Sequence, residues 1–317
     1  MRREPIAKRA QGRWRGILAG LGADASYLNG KHGPCPVCGG KDRFRFDDKD
    51  GKGTFFCNKC GAGDGMQLAQ AITGKPFREA VQDVESQLGE ARYEEPKPQI
   101  TPDEQKQIIR KLWRSGRPLA AGDPAEAYLN GRGLSGLGDV SLRYVDECWH
   151  AESRANHPAM LAAVQAPGGT ACAVHRTYLT LDGRKADVNP VRKLSAGTVP
   201  DGAAVRFGPV TETMGVAEGL ETSKAARRLL MASGQNNVSV WSCLTRTLLE
   251  KWIPPEGVRN VIIYMDRDAS FDGQKSAYIL ASRLAASGRF RVEDKMPMRV
   301  DEDWCDAWQA YRTENAA

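Results

Sequence analysis

Apolar positions along this chain change their period several times, and each change predicts a different kind of structure. Over residues 1–30, Trp14, Ile17, Leu18 and Leu21 recur at helical spacing, which predicts a helical start. Between 31 and 64 the period falls to two. Arg43 and Arg45 alternate with Phe44 and Phe46, so in a strand the two kinds of side chain point to opposite faces. Residues 65–72 begin a helix, and 76–90 continue as a second, amphipathic one. The run Glu-Glu-Pro-Lys-Pro followed by Thr-Pro makes 91–102 a stiff, charged linker. Residues 103–132 read as two helices, the second capped around Asp123-Pro124 and ending at Gly131. From 140 to 210 the pattern is short strands and turns, among them 160–164, 171–179 and the turn Asp182-Gly183.

The last third alternates regularly. Apolar runs at 213–217, 237–241, 258–265 and 290–296 read as strands. Helical segments near 221–233, 245–252 and 273–287 separate them. Short apolar strands alternating with helices predict a parallel sheet covered by helices. The expected organisation is a domain at 1–90, the linker 91–102, a strand-rich segment at 103–210 and an α/β domain at 211–317.

Cysteine spacing sharpens the first domain. Cys35 and Cys38 form one Cys-x-x-Cys pair and Cys57 and Cys60 a second, with 18 residues between the pairs. That spacing predicts a four-cysteine zinc site. Four thiolates close a tetrahedral shell, so the zinc is structural, with no position for a catalytic water. A module this small depends on its metal to fold. Between the pairs, Phe44, Phe46 and Phe56 serve either as the small core, the favoured reading for at least two of them, or as stacking surfaces for bases. Arg43 and Arg45 are the better candidates for nucleic-acid contact.

Charge adds a direction. The chain of 317 residues carries a formal net charge of +6, but residues 1–60 hold 13 Lys/Arg against 6 Asp/Glu, so the remainder is close to neutral. A basic end that includes Arg2, Arg3, Lys8, Arg9, Arg13 and Arg15 is the footprint of a polyanion-binding module. Cys148, Cys172, Cys243 and Cys305 follow no ligand spacing and read as reduced core residues. No signal peptide or membrane-length apolar stretch is evident, so a reduced, cytoplasmic setting is expected.

In a parallel α/β sheet, active residues gather beyond the carboxyl ends of the strands. Glu218 follows the strand ending at Ala217. Asp266 and Asp268 follow Val-Ile-Ile-Tyr-Met, and the run Asp-Glu-Asp-Trp-Cys-Asp over 301–306 follows the last strand. In Asp-x-Asp, alternate carboxylates can share a divalent cation, and hard oxygens suit Mg²⁺ or Mn²⁺. Gly219 is expected to let the backbone turn sharply there, and Glu221 reads as part of an acidic rim or helix cap.

These residues resemble a known family. Glu218-Gly219 after one strand and Asp266-x-Asp268 after another resemble the Toprim domain of primases, topoisomerases and some nucleases. Val-Ala-Glu-Gly-Leu-Glu-Thr looks like the version in phage, satellite and plasmid primases. The segment from His-Gly-Pro-Cys-Pro-Val-Cys to Phe-Cys-Asn-Lys-Cys-Gly resembles the zinc-binding domain of the same primases. His175-Arg-Thr-Tyr-Leu and Val205-Arg-Phe-Gly-Pro209 look like the segment that precedes Toprim there. The resemblance implies an α/β chain: a four-cysteine zinc ribbon, an α+β segment that is the first part of a primase core, and a Toprim-like parallel sheet. It also implies a DNA primase, a nucleotidyltransferase that makes short RNA primers on single-stranded DNA during replication of a phage or mobile element.

The same resemblance makes Asp266 and Asp268 holders of catalytic Mg²⁺ or Mn²⁺. It makes Glu218 a further ligand or an acid/base group, and Asp303 the acidic residue after the last strand, with Asp306 a weaker match. Nucleoside triphosphates and template need cations, for which Arg176, Lys185, Arg192, Lys193 and Arg206 are the candidates, Arg192-Lys193 foremost. The expected partners are the template strand, nucleoside triphosphates and a separate replicative helicase, because no Gly-x-x-x-x-Gly-Lys-Ser/Thr loop occurs. The other readings are a Toprim nuclease or topoisomerase-like enzyme, and a non-catalytic module that binds single-stranded DNA. Oligomeric state is left open.

Overall fold

The computed structural model describes residues 4–95, 100–136, 138–269 and 271–315, and the chain divides into two compact units, Met1–Gln99 and Ile100–Ala317. Arg2 and Arg3 lie outside the described residues, as do 96–99 of the expected linker.

The first unit opens with α1 (Ile6–Arg9) and α2 (Trp14–Gly20), so the expected helical start exists only as short pieces. A four-stranded antiparallel sheet follows in sequential order: β1 (Gly33–Cys35), β2 (Gly39–Phe46), β3 (Phe55–Cys57) and β4 (Gly61–Gly63). A reciprocal cap starts α3 (Gly65–Thr73): Asp64 Oδ1 accepts from Gln67 N and Gln67 Oε1 from Asp64 N, each at 2.9 Å. The helix α4 (Phe77–Leu88) completes the unit. Its core joins Trp14, Ile17 and Leu18 to Phe44, Phe46, Leu68 and Val84. The segment 91–94, expected in the linker, is built into this unit. Ala91 is buried, Arg13 donates to its carbonyl at 3.0 Å, and Glu94 N donates to Gly12 O at 2.6 Å.

In the second unit, α5 (Pro102–Ser115) and α6 (Pro124–Asn130) precede five strands: β5 (Leu142–His150), β6 (Ala155–Gln165), β7 (Ala171–Tyr178), β8 (Arg192–Leu194) and β9 (Ala204–Val205). Then β10 (Thr213–Ala217), α7 (Leu220–Ala232), β11 (Ser239–Ser242), α8 (Arg246–Glu250), β12 (Asn260–Tyr264), α9 (Asp272–Ala286) and β13 (Arg291–Lys295) alternate, and α10 (Trp304–Glu314) closes the chain. The segment 103–210 and the α/β repeat share a single sheet, in the order β13-β12-β10-β11-β9-β6-β7-β8, with β5 on β6. Its pairings among β10 to β13 are parallel. Its β9–β11 pairing is antiparallel and joins the two halves through Val205 and Ser242.

The order within the parallel half places the site. From β10 the chain runs to β11 on one side and then crosses to β12 on the other. The crevice outside the carboxyl ends of β10 and β12 is therefore the topological switch point. Strands β10, β11 and β12 are nearly all buried, as an apolar parallel core requires. β13 is an edge strand with Arg291, Glu293 and Asp294 exposed. Among the described residues, no helix is long and apolar enough to cross a membrane.

Candidate active site

The first unit gathers its four cysteines. The sulfurs of Cys35, Cys38, Cys57 and Cys60 all lie within 4.8 Å of one another. The Cys38–Cys57 and Cys35–Cys60 separations are 3.6 and 4.0 Å, bracketing the ~3.8 Å edge of a zinc–thiolate tetrahedron. Backbone N–H groups of Val37, Lys59 and Cys60 approach Cys35 and Cys57 sulfurs at 3.4 Å. Gly39 and Gly61, at φ 67° and 89°, supply the left-handed backbone that turns each knuckle. Burial raises the Cys57 thiol, but the Cys60 and Lys59 amides outweigh it and bring it to about 7. Donor set and spacing both fit zinc.

The ribbon separates its faces as the period-two pattern requires. Phe44 and Phe46 are buried and Phe44 packs on Phe55, so these rings are core. Arg43 and Arg45 lie on the opposite face, where Arg45 stands directly across from Phe56. Phe56 is 38% exposed, and Arg45 is ion-paired with Asp47 at 2.5 Å. This outer face joins an open ring to cations.

In the second unit, Glu218, Asp266 and Asp268 line one cavity of about 50 Å³, together with Thr222 and Arg246. The carbonyl of Glu218 is held by Leu244 N at 2.7 Å and Ser242 Oγ at 2.8 Å, which ties the end of β10 to the end of β11. Arg246 Nε lies 4.0 Å from Glu218 Oε2. Thr222 donates to the Asp266 carboxylate, whose two oxygens are each at 3.3 Å. Gly219 adopts an extended conformation open to any residue, so its expected role in a sharp turn is not what it does. A Cβ there would come within 3.0 Å of Thr222 Oγ1, so glycine leaves room for the hydroxyl that holds Asp266.

Asp303 reaches the site from α10. It caps that helix, accepting from Asp306 N at 2.9 Å, while Asp306 returns the bond to Asp303 N at 3.1 Å. Trp304 Nε1 donates to Met265 O at 2.9 Å, which fastens α10 beside the end of β12. Burial first, then the charges of Asp303 and Glu218, raise the Asp266 carboxyl to about 6, against the Thr222 and Trp304 hydrogen bonds that lower it. A buried carboxylate pressed by its neighbours is stabilised by a cation. Among the described residues, only the four cysteines bring three or more such ligand atoms within 4.8 Å of one another. Glu218, Asp266 and Asp268 share the cavity lining without meeting that spacing.

The five candidate cations separate. Arg192 and Lys193 alternate on β8. Arg192 donates to Glu221 at 2.6 Å, whereas Lys193 pairs with Glu152 at 2.7 Å. Lys185 is exposed as a residue, but its ammonium end is partly desolvated; that and then Arg192 lower it, with Glu221 and Asp303 acting to raise it. Arg176 donates to Leu194 O at 3.0 Å, and Arg206 to the carbonyls of Ala166 and Pro167 at 2.7 Å. Lys185 and Arg192 thus stand near Glu221, while Arg176, Lys193 and Arg206 are engaged elsewhere.

Sequence reasoning missed Glu221. It is 8% exposed on the first turn of α7, and accepts from Tyr128 Oη at 2.5 Å as well as from Arg192. Burial raises this carboxyl, but Arg192 and the Tyr128 hydroxyl outweigh it and bring it to about 2. The stabilisation is therefore complete above the ordinary carboxylate range and lost as pH falls toward 2. Arg192→Met is expected to move acid unfolding to higher pH and to cost about 1–3 kcal/mol, less than for a fully buried pair because Arg192 is two-fifths exposed. Circular dichroism during acid titration reads this, and an unmoved midpoint would deny the pair its role.

Comparison with known proteins matches three segments. Residues 30–66 match the zinc-binding domain of primase-helicase, and 213–314 match the Toprim domain. Residues 103–207 match a domain of unknown function, DUF7146. Among solved structures, the primase fragment of the bacteriophage T7 primase-helicase is 16% identical. That match covers 90% of this chain and 96% of the other at a TM-score of 0.43. A DNA primase domain from Pseudomonas aeruginosa is 15% identical, covering 66% and 78% at 0.41. The RNA polymerase domain of a Mycobacterium tuberculosis primase is 13% identical, covering 68% and 84% at 0.40.

Proposed function

This chain has a primase-type architecture, a primase zinc ribbon followed by a Toprim domain, and on that premise we propose that it synthesises short RNA primers on a single-stranded DNA template. The observation that carries the reading is the shared cavity of Glu218, Asp266 and Asp268 at the carboxyl ends of adjacent strands. Asp266 and Asp268 would hold Mg²⁺ or Mn²⁺, with Glu218 as a further ligand or an acid/base group. A divalent ion there supplies charge stabilisation to the attacking and leaving oxygens of phosphoryl transfer. Thr222 orients Asp266, Trp304 keeps Asp303 close to it, and Lys185 and Arg192 offer positive charge to a triphosphate. Arg43, Arg45 and Phe56 offer the zinc ribbon's outer face to template phosphates and bases. Arg176, Lys193 and Arg206 remain secondary candidates, since their partners are backbone carbonyls and Glu152, whereas Arg192 is paired with Glu221, the neighbour in sequence of Thr222 in the acidic cavity. A replicative helicase is the expected partner, and replication of a phage or mobile element the expected setting.

The test supplies single-stranded DNA, four ribonucleotides and Mg²⁺ or Mn²⁺. Short labelled oligonucleotides that depend on both metal and template are expected. Template cleavage without synthesis would favour the nuclease reading, and binding alone the non-catalytic module.

A further inference from the structure

A larger cavity, of about 410 Å³, lies along α7 beyond its first turn and shares no lining residue with the acidic one. Lys224, Arg227, Arg228 and Met231 reach it from one helical face, at i, i+3, i+4 and i+7. Arg206 joins them from the segment after β9. Four half-buried cations thus face the single carboxylate of Asp139.

That carboxylate is taken by Lys224, at 3.0 Å. Arg206 donates only to the carbonyls of Ala166 and Pro167, and its Nε is buried with no hydrogen-bond partner among the described residues. Arg227 donates to the carbonyls of Gln235 and Asn236. Arg228 has no ion pair among the described residues. Burial lowers both the Arg206 and the Arg227 guanidinium, and for Arg227 the neighbouring Arg228 adds to it. Arg206 also stacks on the Trp241 ring at 4.5 Å, and among the described residues Arg206, Arg227 and Arg228 have no anionic partner in this half-buried wall, an arrangement that an anion stabilises. The rest of the wall mixes Ser135, Ser141, Gly138 and Gly208 with three apolar side chains: Phe207 is buried there, while Met231 and Val140 are 42% and 89% exposed. The volume falls in the range of small-molecule sites, and planar guanidinium groups match phosphate oxygens.

We propose that this cavity is a binding site for a free nucleoside polyphosphate, its phosphates on Arg227 and Arg228 and its base against Met231 and Val140. The site is separate from the carboxylates assigned to metal. It shares a helix with their neighbours, since α7 carries Glu221 and Thr222 on its first turn and three of the cavity's four cations, Lys224, Arg227 and Arg228, on the next two.

The test titrates ATP into the full-length, zinc-loaded Asp266→Asn chain in magnesium-free buffer, so a failure of the priming reading does not bear on it. Saturable binding is expected, and adenosine, which lacks phosphate, is expected to bind more weakly by about tenfold or more. Arg228→Glu, and separately Val140→Asp at an exposed position that leaves the fold intact, should each weaken ATP binding by about tenfold or more. Absent ATP binding, or ATP binding unchanged by both substitutions, would overturn the site. Failure to bind ATP together with single-stranded oligonucleotide binding that Arg228→Glu abolishes would assign the phosphates to a strand, and would overturn the free-nucleotide proposal.

Discussion

Replacing Asp266 with Asn is expected to lower primer synthesis on the order of a thousandfold, several kcal/mol of lost charge stabilisation. The residue stands at the centre of the acidic group, lining the cavity with Glu218 and Asp268, held by Thr222, and close enough to Asp303 to feel its charge. The substitution keeps its size and removes its charge. Asp268→Asn should behave alike. Template binding and zinc content should be unchanged, because the cysteines belong to the other compact unit. Gel-resolved products together with a binding isotherm separate these quantities. Synthesis within a few-fold of wild type would remove Asp266 from the chemistry, and lost template binding would move its role to the strand.

The second large effect concerns zinc. Structural zinc contributes roughly 10–16 kcal/mol of apparent binding energy in small modules, so its loss is a loss of folding. The four cysteines close one side of a small core in which Cys35 and Cys57 are buried beside Phe44 and Phe55. Cys57→Ser, or chelation, is expected to make the segment 30–66 sensitive to protease and to abolish priming. The second unit should remain resistant, since its sheet and cores are its own. Limited proteolysis with mass mapping and a zinc measurement would check this. A ribbon that stays resistant without zinc would contradict the role given to the metal.

How much of this was legible depended on where each signal lay in the chain. The zinc ligands were legible because their chemistry is written in local spacing. Strands β10 and β12 were legible because buried parallel strands are nearly continuous apolar runs, and their ends placed Glu218 and Asp266. The helix α10 was not foreseen. Asp-Glu-Asp-Trp-Cys-Asp drew attention as carboxylates, although Asp303 and Asp306 form a helix cap and Trp304, Trp308 and Tyr311 follow at helical spacing. Glu221 looked like a rim residue because its partners, Tyr128 and Arg192, are 93 and 29 positions away in sequence. Adjacent Arg192 and Lys193 read as one basic cluster, but strand alternation sends them to different partners. The role of Gly219 depended on the neighbouring Thr222 hydroxyl, a packing detail that no turn pattern encodes.

The central claim is that the acidic cavity joins ribonucleotides under the direction of a DNA strand. Sequencing the products made on a defined single-stranded template tests it most directly. The account predicts short, alkali-labile oligoribonucleotides complementary to the template, present with Mg²⁺ or Mn²⁺ and absent with Asp266→Asn. Products unrelated to the template sequence, or cleaved template with no new strand, would contradict it.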